Sequence, residues 1–396
     1  MRVALFAVLC ALLGGAAALG LGSATGLIGG STTETVVVRE PPAAAAAPAA
    51  RATAPAPAAA VPGFSAARIF AARSPGVVTV FAYFGGVGAQ GSGFVVSRDG
   101  TILTNAHVIT NAGATAPGAK VKAASEVYVE FGDHDRVPAS IVGWDVFDDV
   151  GVIHVQPGGH RLNPLPLGRS ADVVVGAPVA AIGSPLGNED SLGVGVVSAV
   201  GRSIAALTAP HFQLVDAIQT DAPITHGSSG GPLLDARGRV IGINAQIRSE
   251  SGGSSGIGFA VPIDAARRSL QELRARGRVD YAYAGVTTES LTPSLARRLG
   301  LRATRGALID RVTPGGPAAR AGLRGGSHQI DFDGESVTAG GDVVLELDGI
   351  PVRTSDDLVR IVTNQLRAGE TAVFTVLRSG RRHAIAVRLI PRPLTP

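Results

Sequence analysis

Short apolar runs separated by Gly, Pro and Asp recur along residues 64–262. Examples are GVVTVFAYF, GSGFVVS, VGVIHV and RVIGINAQI, and no helical stretch lies between them. Strands at this spacing are typical of antiparallel barrels or sandwiches. About 200 residues suits two six-stranded barrels of roughly 100 residues each better than a single barrel. The pattern therefore predicts a mainly β domain that contains two barrels.

Apolar residues return at helical spacing in the segment IDAARRSLQELRARG, with Ile263, Ala266, Leu270 and Leu273 on one face. Gly277 is a helix stop signal. We expect this helix to close one domain, over residues 63–278, and to lead into a second domain over residues 279–396.

The second domain mixes short strands with a helix in TSDDLVRIV, where Thr354 and Asp357 are spaced as a capping box. The stretch RGGSHQIDFDGESVTA is typical of an inserted hairpin.

The N-terminal region has a different composition. Residues 3–33 carry no charged side chain, which is long enough to span a bilayer that needs roughly 20 apolar residues. A cleavable signal peptide is the alternative, with small-residue cleavage sites at Ala16-Ala17-Ala18 or Ser23-Ala24. Either interpretation predicts export. We therefore assign residues 1–33 as a signal or transmembrane anchor and residues 34–62, rich in Ala and Pro, as an extended linker.

Composition and charge exclude several classes of protein. The only cysteine, Cys10, rules out an internal disulfide framework and a multi-cysteine zinc site. A net charge of +4 without a basic cluster argues against a nucleic-acid binder. The sequence has no phosphate-binding loop of the ATPase type. We expect no metal, no cofactor and no nucleic-acid partner.

The segment THGSSGGPLLD, residues 225–235, is the first candidate for chemistry. Glycines on both sides of Ser229 permit a tight turn that exposes its hydroxyl. Such a turn can also direct the amides of Gly227 and Ser229 at one point, as a tetrahedral oxyanion requires. A Gly/Ser-rich hairpin loop is the alternative interpretation.

A serine nucleophile needs a base, and a carboxylate must fix the tautomer of that base. His107, at the end of GTILTNAHVIT, is the candidate base. We reject His226 because it belongs to the loop that shapes the oxyanion site. In DVFDDVGVIHV, Asp149 directly precedes an apolar strand and is the candidate carboxylate, whereas Asp145 and Asp148 are expected to be solvated turn residues.

Together these segments resemble the HtrA/Deg serine proteases, in which a chymotrypsin-like double β-barrel precedes a PDZ domain. TNAHV, DDVGV and HGSSGGPLL match the family's histidine, aspartate and serine motifs, and their order is that of the chymotrypsin class. Ser228 stands where the family usually has Asn, and Thr225-His226 stand where it often has Asn-Pro. These departures leave specificity open but remove no triad group.

The resemblance implies a His107–Asp149–Ser229 triad with the amides of Gly227 and Ser229 as the oxyanion hole. Pro223 and Ile224 are expected at the substrate pocket, where no acidic residue is present to bind Arg or Lys. The implied function is ATP-independent cleavage of unfolded or damaged extracytoplasmic proteins in the bacterial envelope, either on the membrane or free after signal cleavage.

The segment YAGV resembles the PDZ loop that binds a terminal carboxylate, with Ala284 replacing the usual leucine. Tyr283, Ala284, Gly285 and Val286 are therefore expected to capture peptide C-termini. Family members commonly form homotrimers through aromatic residues near the start of the barrel, and Phe64 and Phe70 are the candidates. The alternative function is a chaperone or scaffold with a catalytically silent protease fold.

Overall fold

A computed structural model describes residues 63–112, 120–183, 191–205, 208, 213–224, 227–245 and 257–393. The predicted anchor at 1–33 and linker at 34–62 lie outside these residues, as do Thr225 and His226. Across the described ranges, no helix is both long and apolar enough to cross a membrane.

The first half of the protease region is a closed six-stranded antiparallel barrel, ordered β1-β2-β3-β6-β5-β4. Helix α1 (Ala66–Arg73) precedes it, and helix α2 (Ala106–Ile109) follows its third strand. The strands are β1 (Val77–Phe84), β2 (Val87–Val95), β3 (Thr101–Thr104), β4 (Glu126–Glu130), β5 (Arg136–Asp145) and β6 (Val150–Val155).

The second half is another closed six-stranded barrel, ordered β10-β11-β12-β9-β8-β7. Its strands are β7 (Pro178–Gly183), β8 (Ser191–Ala205), β9 (Gln213–Thr220), β10 (Pro232–Leu234), β11 (Val240–Ala245) and β12 (Gly258–Pro262). The predicted pair of six-stranded barrels is confirmed.

The packing of the barrels explains why their strands are so apolar. Inward-facing residues such as Val80 and Val129 fill the first barrel, and Ile218 and Leu233 fill the second. The opposite faces of several strands are buried too, because a third cluster joins the barrels and includes residues from both. All six residues of β11 are buried. The catalytic candidates lie along this junction.

Helix α3 (Ile263–Arg276) connects the barrels to the C-terminal domain and ends, as predicted, at Gly277 with a left-handed φ of 71°. The expected face packs inward: Ile263, Ala266 and Leu273 are buried, and Leu270 packs against the same core. A buried serine, Ser269, interrupts this face and binds Asp145 instead of packing as an apolar residue.

The C-terminal domain is built on a sheet ordered β14-β15-β18-β20-β21, with β19 paired to β18 and β14 at the edge. Its helices are α4 (Pro293–Arg298), α5 (Pro317–Ala321) and α6 (Ser355–Gln365). Its strands are β13 (Ala282–Tyr283), β14 (Val286–Leu291), β15 (Gly306–Val312), β16 (His328–Phe332), β17 (Glu335–Ala339), β18 (Val343–Leu347), β19 (Ile350–Pro351), β20 (Thr371–Arg378), β21 (Arg381–Arg388) and β22 (Ile390–Pro391).

Two local predictions in this domain are confirmed. β16 and β17 form the expected separate hairpin. Asp333 and Gly334 form its turn with φ values of 52° and 83°, as a type I′ turn requires. At the start of α6, the Thr354 hydroxyl accepts from the Asp357 amide at 3.1 Å. The Asp357 carboxylate accepts from the Arg353 amide, one residue earlier than in the usual capping box.

Candidate active site

His107 is held by one carboxylate at two points. Its Nδ1 lies 2.7 Å from Asp149 Oδ2, and its backbone amide donates to Asp149 Oδ1 at 3.0 Å. The side chain of Asp149 is only 5% exposed, whereas that of His107 is 20% exposed. The carboxylate thus fixes the imidazole from the buried side and leaves the other ring nitrogen for a proton transfer.

The backbone of Asp149 is in the left-handed region, with a φ of 52°. This conformation is uncommon for residues other than Gly and is more accessible to Asp and Asn than to most others. The wholly buried Asn105 donates its side-chain amide to the Asp149 carbonyl at 2.8 Å, and the Ala106 amide donates to the same carbonyl at 3.2 Å. Asn105 was not singled out from the sequence, although it stands in the TNAHV motif.

Burial opposes a positive charge on His107, but the charge and hydrogen bond of Asp149 outweigh it. The pKa of the imidazole is raised above its ordinary value. The pair therefore stabilises the imidazolium that forms when His107 accepts a proton.

Ser229 lies in a loop that the second barrel presents to the first. The Ser92 amide donates to the Ser229 carbonyl at 2.8 Å, and the Ser92 hydroxyl donates to the Gly227 carbonyl at 2.6 Å. Gly227 and Gly230 have φ values of 92° and 89°, which favour glycine on both sides of the serine. Strand β2 of the first barrel thus anchors the loop of the second.

The contact between the two barrels is too close for larger residues. A methyl group on Gly230 would lie 2.1 Å from the Ser92 carbonyl oxygen and 2.4 Å from Thr104 Oγ1. A methyl group on Gly91 would lie 2.7 Å from Val108 and 3.1 Å from the Ser229 carbonyl oxygen. The serine loop therefore packs directly on the segment that carries His107.

A second buried asparagine, also missed from the sequence, supports the serine loop from behind. The backbone carbonyl of Asn244 accepts from the Gly230 amide at 2.9 Å, and the backbone amide of Asn244 donates to the Gly231 carbonyl at 2.8 Å. Its side chain donates to the carbonyls of Ile182 and Pro232, each at 3.2 Å. Asn244 stands in the run RVIGINAQI, but that run does not show that the partners of its side chain lie on two other strands.

The residues expected at the substrate pocket differ in environment. Pro223 is exposed, whereas Ile224 is 8% exposed and belongs to the core cluster of the second barrel. The Ile224 side chain would be 2.9 Å from a methyl group on Gly258. The pocket assignment stays a prediction.

The expected carboxylate-binding loop connects β13 to β14. The Tyr283 hydroxyl lies 3.0 Å from Thr313 Oγ1, and the carbonyls of Ala284 and Gly285 accept from the amides of Ala318 and Thr313. Gly285 has a φ of 78°. These bonds hold the loop at one end of the edge strand β14.

The expectation that Asp145 and Asp148 are solvated turn residues is wrong. Each is 2% exposed. The Tyr281 hydroxyl lies 2.5 Å from Asp145 Oδ2 and 2.7 Å from Asp148 Oδ2, and Arg268 donates to Asp148 at 2.6 Å. These partners lie more than a hundred residues away in the sequence, so the turn pattern alone gave no indication of burial.

In the part of the chain that the structure describes, no group of three or more His, Cys, Asp or Glu side chains is arranged to hold a metal ion. His134 lies in the turn between β4 and β5, with a left-handed φ of 64°.

Comparison with known proteins identifies two domains. A trypsin-like peptidase domain model matches residues 91–243, and a PDZ domain model matches residues 282–389. The chain is 39% identical over 292 residues to a probable periplasmic serine endoprotease DegP-like of Pseudomonas fluorescens, a match covering 74% of this chain and 54% of that protein. The chain thus spans about half the length of the bacterial relatives it matches.

Solved structures give the same assignment. The HtrA-type protease AlgW with a tripeptide superposes with a TM-score of 0.68 at 32% identity, covering 83% of this chain and 98% of that one. A serine endoprotease from Yersinia pestis gives a TM-score of 0.59 at 27% identity, with 83% and 98% coverage. With both domains in this order and a relative matched over nearly its whole solved chain, the chain belongs to the HtrA family of trypsin-like serine proteases.

Proposed function

We propose that the chain is an ATP-independent serine endopeptidase in which His107, Asp149 and Ser229 form the catalytic triad. The observation that carries this proposal is the two-point contact between Asp149 and His107, on a segment against which the Ser229 loop packs. The alternative, a silent scaffold, is disfavoured because all three side chains of the set are retained.

In the proposed reaction, Ser229 Oγ attacks the peptide carbonyl while His107 Nε2 takes the hydroxyl proton. His107 then gives that proton to the leaving amine, and Asp149 holds Nδ1–H and stabilises the imidazolium. The amides of Gly227 and Ser229 bind the oxyanion, each contributing about 3 kcal/mol to the reduction of the barrier. Water repeats the sequence on the acyl-enzyme, with His107 again as the base.

The proposed substrates are unfolded or damaged proteins outside the cytoplasm. The periplasmic assignment of the Pseudomonas relatives supports this location. Pro223 and Ile224 would line a shallow apolar pocket for a small aliphatic side chain, since no acidic residue stands there. The charge-free stretch 3–33 would serve as a membrane anchor, or as a signal that is removed.

The homotrimer also remains a proposal. Phe64 and Phe70, its candidate contacts, are half-buried and pack against the cluster between the barrels.

The PDZ domain would capture peptide C-termini at Tyr283–Val286, with the peptide added as a strand to β14. The position of β14 at the edge of its sheet supports this mode. Ser355, at the start of α6, donates its hydroxyl to the Thr288 carbonyl of β14 at 3.0 Å. A peptide strand that reached Thr288 would therefore compete with Ser355 for this acceptor.

Replacement of the nucleophile tests the proposed activity. Ser229→Ala should lower the rate of casein degradation by several orders of magnitude, because it deletes only the attacking oxygen. Ser140→Ala is the matched control, since that exposed hydroxyl lies on β5 and donates to the His154 carbonyl at 3.3 Å. Degradation by Ser229→Ala at a rate near that of the wild type would refute the assignment.

A further inference from the structure

We propose that a cavity of about 480 Å3 on the first barrel is a binding site for an organic phosphate. The end of α1, the turn after β2 and the connecting segment 157–165 form its walls. Arg73, Arg98 and Arg161 line it, and none of the three proposed catalytic residues does. The site is therefore separate from the proposed triad and does not depend on that assignment.

The cavity concentrates unpaired positive charge. Among the described residues, no carboxylate lines it. Throughout the described ranges, Arg73, Arg98 and Arg161 form no ion pair, whereas other arginines do, among them Arg136, Arg239 and Arg274. Three arginines that line one space favour an anion, because planar guanidinium N–H groups match phosphate oxygens in pairs.

Arg73 is fixed before any ligand binds. Its Nε is buried against the turn between β10 and β11, where a methyl group on Gly238 would lie 2.9 Å away. The same Nε has no hydrogen-bond acceptor among the described residues. Packing thus limits the conformational freedom of this side chain, and an ordered side chain loses less entropy on binding than a free one.

The remaining walls indicate that the anion carries an organic group. Pro157, Leu162, Pro164 and Leu165 give the cavity apolar surface. Its volume lies in the range of small-molecule sites, about 300–1,000 Å3, and exceeds what a bare phosphate ion would fill.

His160 supplies a wall rather than a ligand nitrogen. Its Nε2 lies 2.8 Å from Asp135 and its Nδ1 lies 3.5 Å from Asp133, so carboxylates contact both ring nitrogens. These two carboxylates do not line the cavity. A phosphate ester is the chemistry that fits, either as a free small molecule or as the headgroup of an anionic phospholipid.

The test uses the full chain and two probes. Binding of sn-glycerol 3-phosphate is measured by calorimetric titration, and the headgroup is presented in vesicles of phosphatidylglycerol, with phosphatidylcholine vesicles as the neutral reference. The site variant is Arg73→Gln/Arg98→Gln/Arg161→Gln. The control variant, Arg297→Gln/Arg298→Gln/Arg302→Gln, removes the same charge from exposed arginines of the PDZ domain.

We expect the site variant to bind at least one probe about tenfold more weakly than the wild type, since it loses charge-assisted hydrogen bonds. The control should change by less than about twofold. If the site variant loses binding only to glycerol phosphate, the ligand is a free small molecule. If it loses binding only to phosphatidylglycerol vesicles, the ligand is a lipid headgroup. If the site variant is destabilised, Arg161→Gln replaces it, because that side chain is exposed.

Two results would overturn the proposal. In one, the wild type binds neither glycerol phosphate nor phosphatidylglycerol more tightly than the site variant. In the other, the control loses as much binding as the site variant, which would mean that net charge alone determines the interaction.

Discussion

At the scale of single residues, the environment of His107 depends on the side chains that hold it in place. Asp149 reaches both the ring and the backbone of His107, and Asn105 holds Asp149 by its carbonyl oxygen. This arrangement allows Asp149 to keep a left-handed backbone at a cost of about 1–3 kcal/mol that the surrounding bonds offset.

The raised pKa of His107 predicts the acid limb of the activity profile. The base must be neutral to take the Ser229 proton, so kcat/KM should fall as the pH drops through a His107 pKa above the ordinary 6.5. Asp149→Asn should move this limb to lower pH and reduce kcat by about 10⁴-fold. NMR titration of labelled histidines, assigned with His107→Gln, measures the pKa directly.

Asp145→Asn is the control for that experiment, because the nearby Asp145 carboxyl also titrates near neutrality, with a pKa of about 6. A His107 pKa that does not change in Asp149→Asn would show that the contact does not control the base.

Motif spacing was sufficient to predict the three candidate catalytic residues and the loop glycines around Ser229, since each motif is local. It was not sufficient for Asn105 and Asn244. Their roles arise from hydrogen bonds to backbone atoms of other strands, and a polar residue in an apolar run does not show which carbonyl it will meet.

At the scale of elements, the turn between β5 and β6 carries Asp149 together with a buried acidic pair. Tyr281 has one hydroxyl proton, yet its oxygen lies within 2.7 Å of both Asp145 and Asp148. The Tyr281 proton can serve only one of these two short contacts, so the other contact requires a second proton. Burial, followed by the charge of Asp148, raises the pKa of Asp145 to about 6.

This pair predicts how stability depends on pH. The folded state keeps the Asp145 proton up to about pH 6, whereas the unfolded chain releases it near 3.8. The stabilising contribution of the group is thus lost as pH rises through the folded pKa. Asp145→Asn, which mimics the protonated form, should raise the urea midpoint at pH 7.5 and flatten its change between pH 5 and 7.5.

Asp148→Asn is the contrast, since it removes the carboxylate partner of Arg268 and should lower the midpoint at both pH values. A urea midpoint for Asp145→Asn below that of the wild type at pH 7.5 would contradict a proton held by Asp145 in the folded state.

The pattern of apolar runs predicted the two barrels, the closing helix α3 and the hairpin β16–β17, because periodicity and turn residues are local properties. It failed for the turn at Asp145 and Asp148. Burial there depends on Arg268 of α3 and on Tyr281, which follows the helix, and no local pattern encodes that contact.

At the scale of the whole molecule, the proposed triad exists only where the barrels meet. His107 and Asp149 come from the first barrel and Ser229 from the second, and buried residues of both form the cluster between them. The PDZ helix α6 also contacts this body: Arg268 donates to the Thr363 carbonyl at 2.8 Å, and Asn364 donates to Asp216 at 2.7 Å. Partly buried hydrogen bonds therefore join the PDZ domain to the protease domain.

Covalent labelling tests the central claim most directly. A fluorophosphonate reacts with a serine that a neighbouring base activates, so mass spectrometry of the treated full-length chain should find a single adduct on the peptide that contains Ser229. Labelling should disappear in Ser229→Ala and become much slower in His107→Ala, because members of a triad act as a unit. An unlabelled wild-type chain, or an adduct that persists in Ser229→Ala, would contradict the assignment of Ser229 as the nucleophile.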